Sequence, residues 1–231
     1  MVALVVGCAV GGGLIGAALP EWLARLPEPE QPAEESKEPY AKLARAGGLR
    51  VGLGLLTAAC FGGVAWSLGP SAALPAELYL AAVGVLLGYI DIRVRLLPNA
   101  IVLPSYLVVL GLLAGASLVS GQWSPMLWAV VSGAGLWLLF AIAGFAYPAG
   151  VGFGDIKLIG VLGLGLGWLG VGHALVGMMA AFVMGGLFSL GLVISRRATS
   201  KSQVPFGPFL VAGFLFAVLF ADDLVRWYLF R

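Results

Sequence analysis

Apolar runs of membrane-spanning length occupy most of this 231-residue chain. A helix needs about 20 apolar residues to cross about 30 Å of hydrocarbon, with a working range of about 17–25 residues. Eight such runs follow one another along the chain, and the sixth is the shortest. The runs cover residues 2–19, 51–68, 74–90, 101–119, 126–147, 158–172, 174–195 and 207–225. The sequence therefore predicts an all-α, polytopic transmembrane helix bundle of about eight spans.

The composition excludes two other classes of protein. The chain is 61% hydrophobic and 10% charged, whereas soluble domains are about 45–50% apolar and about 25% charged. Its net charge of +2 comes with no basic block, which argues against binding nucleic acid through phosphate contacts. Cys8 and Cys60 lie in apolar runs and form no C-x-x-C pair. We therefore expect both cysteines to be small buried hydrophobic residues that form no metal or disulfide site.

Charged residues between the predicted spans indicate the organisation and the orientation. Residues 20–50 hold eleven charges, and we expect a solvated loop there with a short helix near Tyr40. Eleven Lys and Arg residues fall in loops on one side of the predicted membrane, against two on the other. Because basic loops stay in the cytoplasm, both termini are predicted to lie outside. The predicted parts are a first span over 1–19, a cytoplasmic loop over 20–50 and a main bundle over 51–231.

Ionisable side chains near the membrane are costly and are therefore the first functional candidates. Beyond the charged loop, the acidic residues are Glu77, Asp91, Asp155, Asp222 and Asp223. Asp91 and Asp155 share the predicted cytoplasmic face. For the other three, at the outer face, we expect ordinary interfacial roles.

Two carboxylates on one face are sufficient for aspartic proteolysis. An ionised one takes a proton from water, and a protonated one donates a hydrogen bond to the scissile carbonyl. The sole histidine, His173, is predicted to be solvated in an outer turn, which argues against a Ser-His-Asp hydrolase and an HExxH metalloprotease. On spacing alone, each aspartate has another interpretation, because it can also cap a helix or pair with a nearby Arg or Lys.

Three short motifs carry more information than the spacing. Ile90-Asp91 is followed by Leu97-Pro98-Asn99 and Leu103-Pro104, and Asp155 ends the stretch Gly152-Phe153-Gly154-Asp155 before Ile156-Lys157-Leu158. Val204-Pro205-Phe206-Gly207-Pro208-Phe209-Leu210 leads into the last apolar run. In these three motifs and their order, over roughly residues 51–231, the chain resembles bacterial type IV prepilin leader peptidases, a family of G-x-G-D intramembrane aspartic proteases.

This resemblance implies a catalytic pair and a substrate. The pair would be Asp91 and Asp155, and the substrate a prepilin or pseudopilin, or a Tad-like prepilin, cut after Gly at the cytoplasmic face of the inner membrane. Five residues are interpreted as supporting the site: Gly152, Gly154, Lys157, Pro98 and Asn99. Four residues are interpreted as lining a substrate path: Pro205, Phe206, Gly207 and Pro208.

The resemblance also sets expectations about cofactors and partners. Long family members carry a zinc-binding cysteine quartet in the first cytoplasmic loop, but residues 20–50 contain no cysteine, so we expect no zinc. Proteolysis needs no cofactor, and S-adenosylmethionine is expected only if a methyltransferase activity is retained. The bilayer is the other expected partner, and nucleic acid is not.

Two other functions remain open at this point. A small transporter could use the two aspartates to bind cations or relay protons, and it would place them near the bilayer midplane. A non-catalytic membrane subunit of a pilus or secretion machine would not need either carboxylate.

For a peptidase, the helix dipole favours charge on Asp155, at a helix start, and the proton on Asp91, at a helix end.

Overall fold

The computed structural model describes residues 1–28, 38–147, 150–195 and 204–229, and every regular element in these residues is an α-helix. This confirms the all-α prediction. The described helices are α1 (Val2–Leu23), α2 (Tyr40–Leu43), α3 (Leu49–Leu68), α4 (Leu74–Val94), α5 (Asn99–Ser120), α6 (Ser124–Ala146), α7 (Phe153–Leu169), α8 (Val171–Ile194) and α9 (Gly207–Leu229).

Each predicted span coincides with one long helix. In the described part of the chain, seven helices are long and apolar enough to cross a membrane, which makes this a multi-pass membrane protein. The remaining predicted span, the sixth in order, corresponds to α7, whose 17 residues lie at the short end of the range for crossing the hydrocarbon. The orientation with both termini outside, and the three-part division of the chain, stay predictions. Five of the basic residues counted for that orientation lie outside the described residues: Lys37, Arg196, Arg197, Lys201 and Arg231.

The helices fall into two units, which are described separately: Met1–Gly121 and Gln122–Arg231. In the first unit, α1 packs closely on α3, and α4 contacts both α3 and α5. The close approach of α1 and α3 depends on two glycines. A methyl group at Gly12 would lie 2.7 Å from Phe61 Cγ, and one at Gly16 would overlap the carbonyl oxygen of Leu53. Small residues let membrane helices approach in this way.

In the second unit, α7 lies among α6, α8 and α9. Gly163 and Gly167 form its contact with α6, because a methyl group at Gly167 would lie 2.6 Å from Ser132 Cβ. Small residues thus let α6 and α7 approach closely, as Gly12 and Gly16 do for α1 and α3.

The boundary between α7 and α8 differs from the expected one. The sequence suggested a break at Gly172 and His173, but α7 ends at Leu169 and α8 starts at Val171. Gly170, between them, has φ +142°, a backbone conformation that a side chain disfavours. His173 therefore lies in the first turn of α8.

The prediction of a solvated His173 is wrong. Only 7% of the residue is exposed, and its Nε2 lies 3.5 Å from Oδ1 of Asp222 on α9. Asp222 itself is exposed, as expected for an interfacial residue. The imidazole is buried because α8 and α9 pack against each other along their length.

The charged loop after α1 is also more structured than expected. The predicted short helix is confirmed as α2, but one side of it is buried: Tyr40 is 2% and Leu43 is 1% exposed, whereas Ala41 and Lys42 are exposed. Burial raises the pKa of the Tyr40 hydroxyl. Within this loop, residues 29–37 lie outside the described residues.

Candidate active site

Asp91 lies on the buried face of α4, one turn before the helix ends. The helix continues to Val94, slightly beyond the predicted span, and Asp91 is 5% exposed between the buried residues Ile90 and Val94. The backbone N–H of Arg95 donates to the Asp91 carbonyl oxygen at 2.9 Å and closes the helix. Arg95 does so with φ +53°, a left-handed conformation that is uncommon for a residue with a side chain.

Pro98 and Asn99 lie where the connection that follows Asp91 enters the next helix. Pro98 has an extended backbone and precedes α5, which begins at Asn99. The Pro98 carbonyl oxygen accepts hydrogen bonds from the N–H groups of Ile101 and Val102, both at 3.0 Å. Proline suits this position because its fixed φ is compatible with a helix start. Pro98 thus ends the connection between α4 and α5, and the role of both residues in the site stays a prediction.

Asp155 lies in the first turn of α7. Gly152 precedes this helix with an extended backbone, and its carbonyl oxygen accepts a hydrogen bond from the N–H of Ile156 at 3.2 Å. The Asp155 side chain is half-buried and turns back over Gly152, since a methyl group at Gly152 would lie 2.9 Å from Asp155 Oδ2. The missing side chain at Gly152 thus leaves space for this carboxylate.

Changing Gly152 to alanine is expected to displace the Asp155 carboxylate and spare the fold. The backbone at residue 152 suits alanine, and among the described residues the close neighbour is the end of the Asp155 side chain. If Asp155 acts in catalysis, displacing its carboxylate should lower kcat of leader cleavage by about tenfold or more. Rates should be normalised to folded protein.

Gly135→Ala is the matched control, because a methyl group there meets no atom of the described residues within 4 Å. Equal rates in the two variants would contradict a catalytic carboxylate at this position.

The other predicted supporting residues lie beside Asp155 in sequence. Gly154 and Lys157 are both half-buried residues of α7. Their contribution to a site stays a prediction.

The predicted substrate-path segment begins α9. Phe206 packs against Phe182 of α8, with ring centroids 5.4 Å apart, and its ring fills the space over Gly185. Gly207 is buried, whereas Pro205 and Pro208 are half-buried. These contacts fit a rigid entry into α9, and the substrate path stays a prediction.

The prediction of an ordinary interfacial role for Glu77 is wrong. It is 0% exposed in the first turn of α4, and neither carboxylate oxygen has a hydrogen-bond partner among the described residues. Glu77 is buried because α4 is enclosed by its neighbours over most of its surface, at the start of the helix as well as the end. An acidic residue in the first turn of an apolar helix was visible in the sequence, but its burial was not.

Sequence reasoning also missed a set of polar contacts behind Asp91. Tyr89 and Arg93 on α4 bond to residues of the charged loop, the Tyr89 hydroxyl to the Leu43 carbonyl oxygen at 3.2 Å and the Arg93 guanidinium to Glu38 at 2.9 Å. The spacing of Tyr89 and Arg93, four residues apart on one helix face, was the available signal.

No group of three or more His, Cys, Asp or Glu side chains in the described ranges could hold a metal ion. The described residues thus do not fit the zinc site of long family members, and the absence of zinc stays a prediction.

Comparison with known proteins decides the family. The model of the type IV leader peptidase family matches residues 78–190, a range that contains Asp91 and Asp155. A Bacillus subtilis protein named prepilin leader peptidase/N-methyltransferase is 30% identical over 176 residues, which cover 76% of this chain and 67% of that protein. This chain belongs to the type IV leader peptidase family.

Other family relatives carry the same name. The Aeromonas salmonicida protein is 35% identical over 182 residues, and the Pseudomonas aeruginosa protein is 31% identical over 185. Both alignments cover 76% of this chain and 59% of the relative, so this leader peptidase family member spans less than two thirds of either protein. No solved structure matches it. The resemblance inferred from the three motifs is confirmed.

Proposed function

We propose that this chain is a membrane-embedded aspartic endopeptidase that removes the leader of a type IV or Tad-like prepilin, or of a pseudopilin. Membership of the type IV leader peptidase family, with Asp91 and Asp155 both inside the matched residues, is the observation that carries this proposal. The cut falls after Gly, at the cytoplasmic face of the inner membrane, where the predicted topology places both aspartates.

In the proposed reaction, the two carboxyl groups divide the work. Ionised Asp155 accepts a proton from water, and the water oxygen attacks the carbonyl carbon of the scissile peptide bond. Protonated Asp91 donates a hydrogen bond to the carbonyl oxygen and stabilises the negative charge that develops there. The C–N bond then breaks, and the proton held by Asp155 passes to the departing amine.

The positions of the two residues support this assignment. Asp155 is in the first turn of its helix and Asp91 in the last turn. The helix dipole favours negative charge at a helix start and disfavours it at a helix end by about 0.3–1 kcal/mol.

The relatives' names also include an N-methyltransferase activity, and we propose that this chain acts as a peptidase without it. Proteolysis in this chain needs no cofactor, and S-adenosylmethionine is required only if the chain also methylates the new amino terminus. Its short charged loop, without cysteine between residues 20 and 50, supports proteolysis without methylation.

Co-expression in bacterial membranes with a tagged prepilin from the same genome tests the proposal. We expect a shorter product whose first residue follows the leader Gly, identified by amino-terminal sequencing. The mass of that residue decides whether it is methylated.

A matched membrane preparation without this chain is the control. An intact prepilin, with the chain present in the membrane at its normal level, would overturn the proposal and favour a transporter or a non-catalytic subunit.

A further inference from the structure

The last turn of α4 is held from outside by the segment that contains α2. Two polar contacts make this connection: the Tyr89 hydroxyl donates to the Leu43 carbonyl oxygen at 3.2 Å, and Arg93 pairs with Glu38 at 2.9 Å. Within the segment, Lys42 also pairs with Glu38, at 3.0 Å. The hydrogen bonds from Lys42 and Arg93 lower the pKa of the Glu38 carboxyl. Glu38 therefore stays ionised, and both ion pairs are present at neutral pH.

These contacts lie on the opposite side of α4 from Asp91. With 3.6 residues per turn, Tyr89 and Arg93 share one face, and Asp91 is about half a turn from each. Exposure agrees with this placement. Ile92 and Arg93 face outward and are exposed, whereas Ile90 and Asp91 are buried. A contact that fixes the outer face of this turn also fixes the direction of the Asp91 side chain.

The connecting segment is itself anchored in the first unit. α2 packs against α1, and its two large apolar side chains, Tyr40 and Leu43, are almost completely buried. Burial of these side chains holds the segment in place more firmly than exposed ion pairs alone, which contribute little in water. The segment can therefore act as a fixed support.

We propose that residues 38–43, termed the α2 brace, set the rotation of the last turn of α4 and so direct the Asp91 carboxyl toward the reacting peptide bond. Tyr89 and Arg93 are then positioning residues, not catalytic residues. The inference rests on the proposed peptidase function for its catalytic consequence, but the orientation of Asp91 can be measured without activity.

The first test is kinetic. Tyr89→Phe combined with Arg93→Gln removes both polar contacts and is expected to lower kcat of leader cleavage by about tenfold, with KM changed less than about twofold. Arg93→Lys, which keeps the charge, should retain most of the rate.

Arg50→Gln is the matched control, because it breaks an exposed ion pair of the same length, Arg50 to Glu21 at 2.9 Å, in which neither partner belongs to α4 or α2. An unchanged kcat in the double variant would overturn the proposal.

The second test measures orientation in the full chain, whether or not it cleaves a prepilin. Cys8 and Cys60 are replaced with alanine, and Asp91→Cys introduces one thiol for alkylation by N-ethylmaleimide. Loss of the brace contacts should make this thiol react several-fold faster. A second reporter, Ile101→Cys, at a residue that is 1% exposed on α5, should keep its rate.

The two tests separate the two ideas. Alkylation that becomes faster at position 91 but not at position 101 would support the brace. If the unmodified chain also cleaves no prepilin, the brace would stand and the proposed function would be overturned. Unchanged alkylation at position 91, or an equal increase at both reporters, would overturn the brace.

Discussion

Changing Asp91 or Asp155 to asparagine is expected to lower the rate of prepilin cleavage by about 10²–10⁴-fold. Asparagine has the same shape as aspartate, so packing around each residue is preserved. It can neither take a proton from water nor supply the acidic proton for the scissile carbonyl. The rate is measured by gel shift on membranes with equal amounts of each variant.

Asp223→Asn is the control for this prediction. Asp223 is exposed on α9 and lies outside the family match, so we expect its loss to leave the rate unchanged. Infrared titration of the single variants shows which aspartate carries the charge. We expect the side chain of Asp155 to be ionised in Asp91→Asn. Normal cleavage by both single variants would refute the two-aspartate mechanism.

Changing Gly16 to alanine is expected to lower the free energy of unfolding by about 1–3 kcal/mol. The added methyl group would overlap the backbone carbonyl oxygen of Leu53 and lie 2.7 Å from Thr57 Oγ1. Backbone cannot move aside as a flexible side chain can, so α1 and α3 must separate. Thermal unfolding of the purified protein in detergent measures the effect.

Gly7→Ala on the same helix is the matched control. In the described part of the chain, a methyl group there meets no atom within 4 Å. Alanine favours a helix over glycine by up to about 1 kcal/mol. We therefore expect unchanged or slightly higher stability. An equal loss in both variants would show that the effect comes from the glycine backbone and not from helix contact.

Several features of the fold were predictable from the sequence because they depend on short stretches of chain. An apolar run of sufficient length forms a helix in a membrane whatever its neighbours are, and all eight predicted runs coincide with helices. The turn at Pro98 likewise follows from the fixed φ of proline. The motifs around Asp91 and Asp155 identified the family because their residue types and order are properties of the sequence itself.

The burial of Glu77, the contact between His173 and Asp222, and the attachment of α2 to α4 were decided only by the tertiary structure. In a soluble helix, alternating polar and apolar faces show which side is buried. The helices of this chain are apolar on nearly all sides, so their sequences predict that they span the membrane but not which faces meet. Close approach at glycines such as Gly16 sets those faces, and this packing determines which polar side chains are enclosed and which partners they contact.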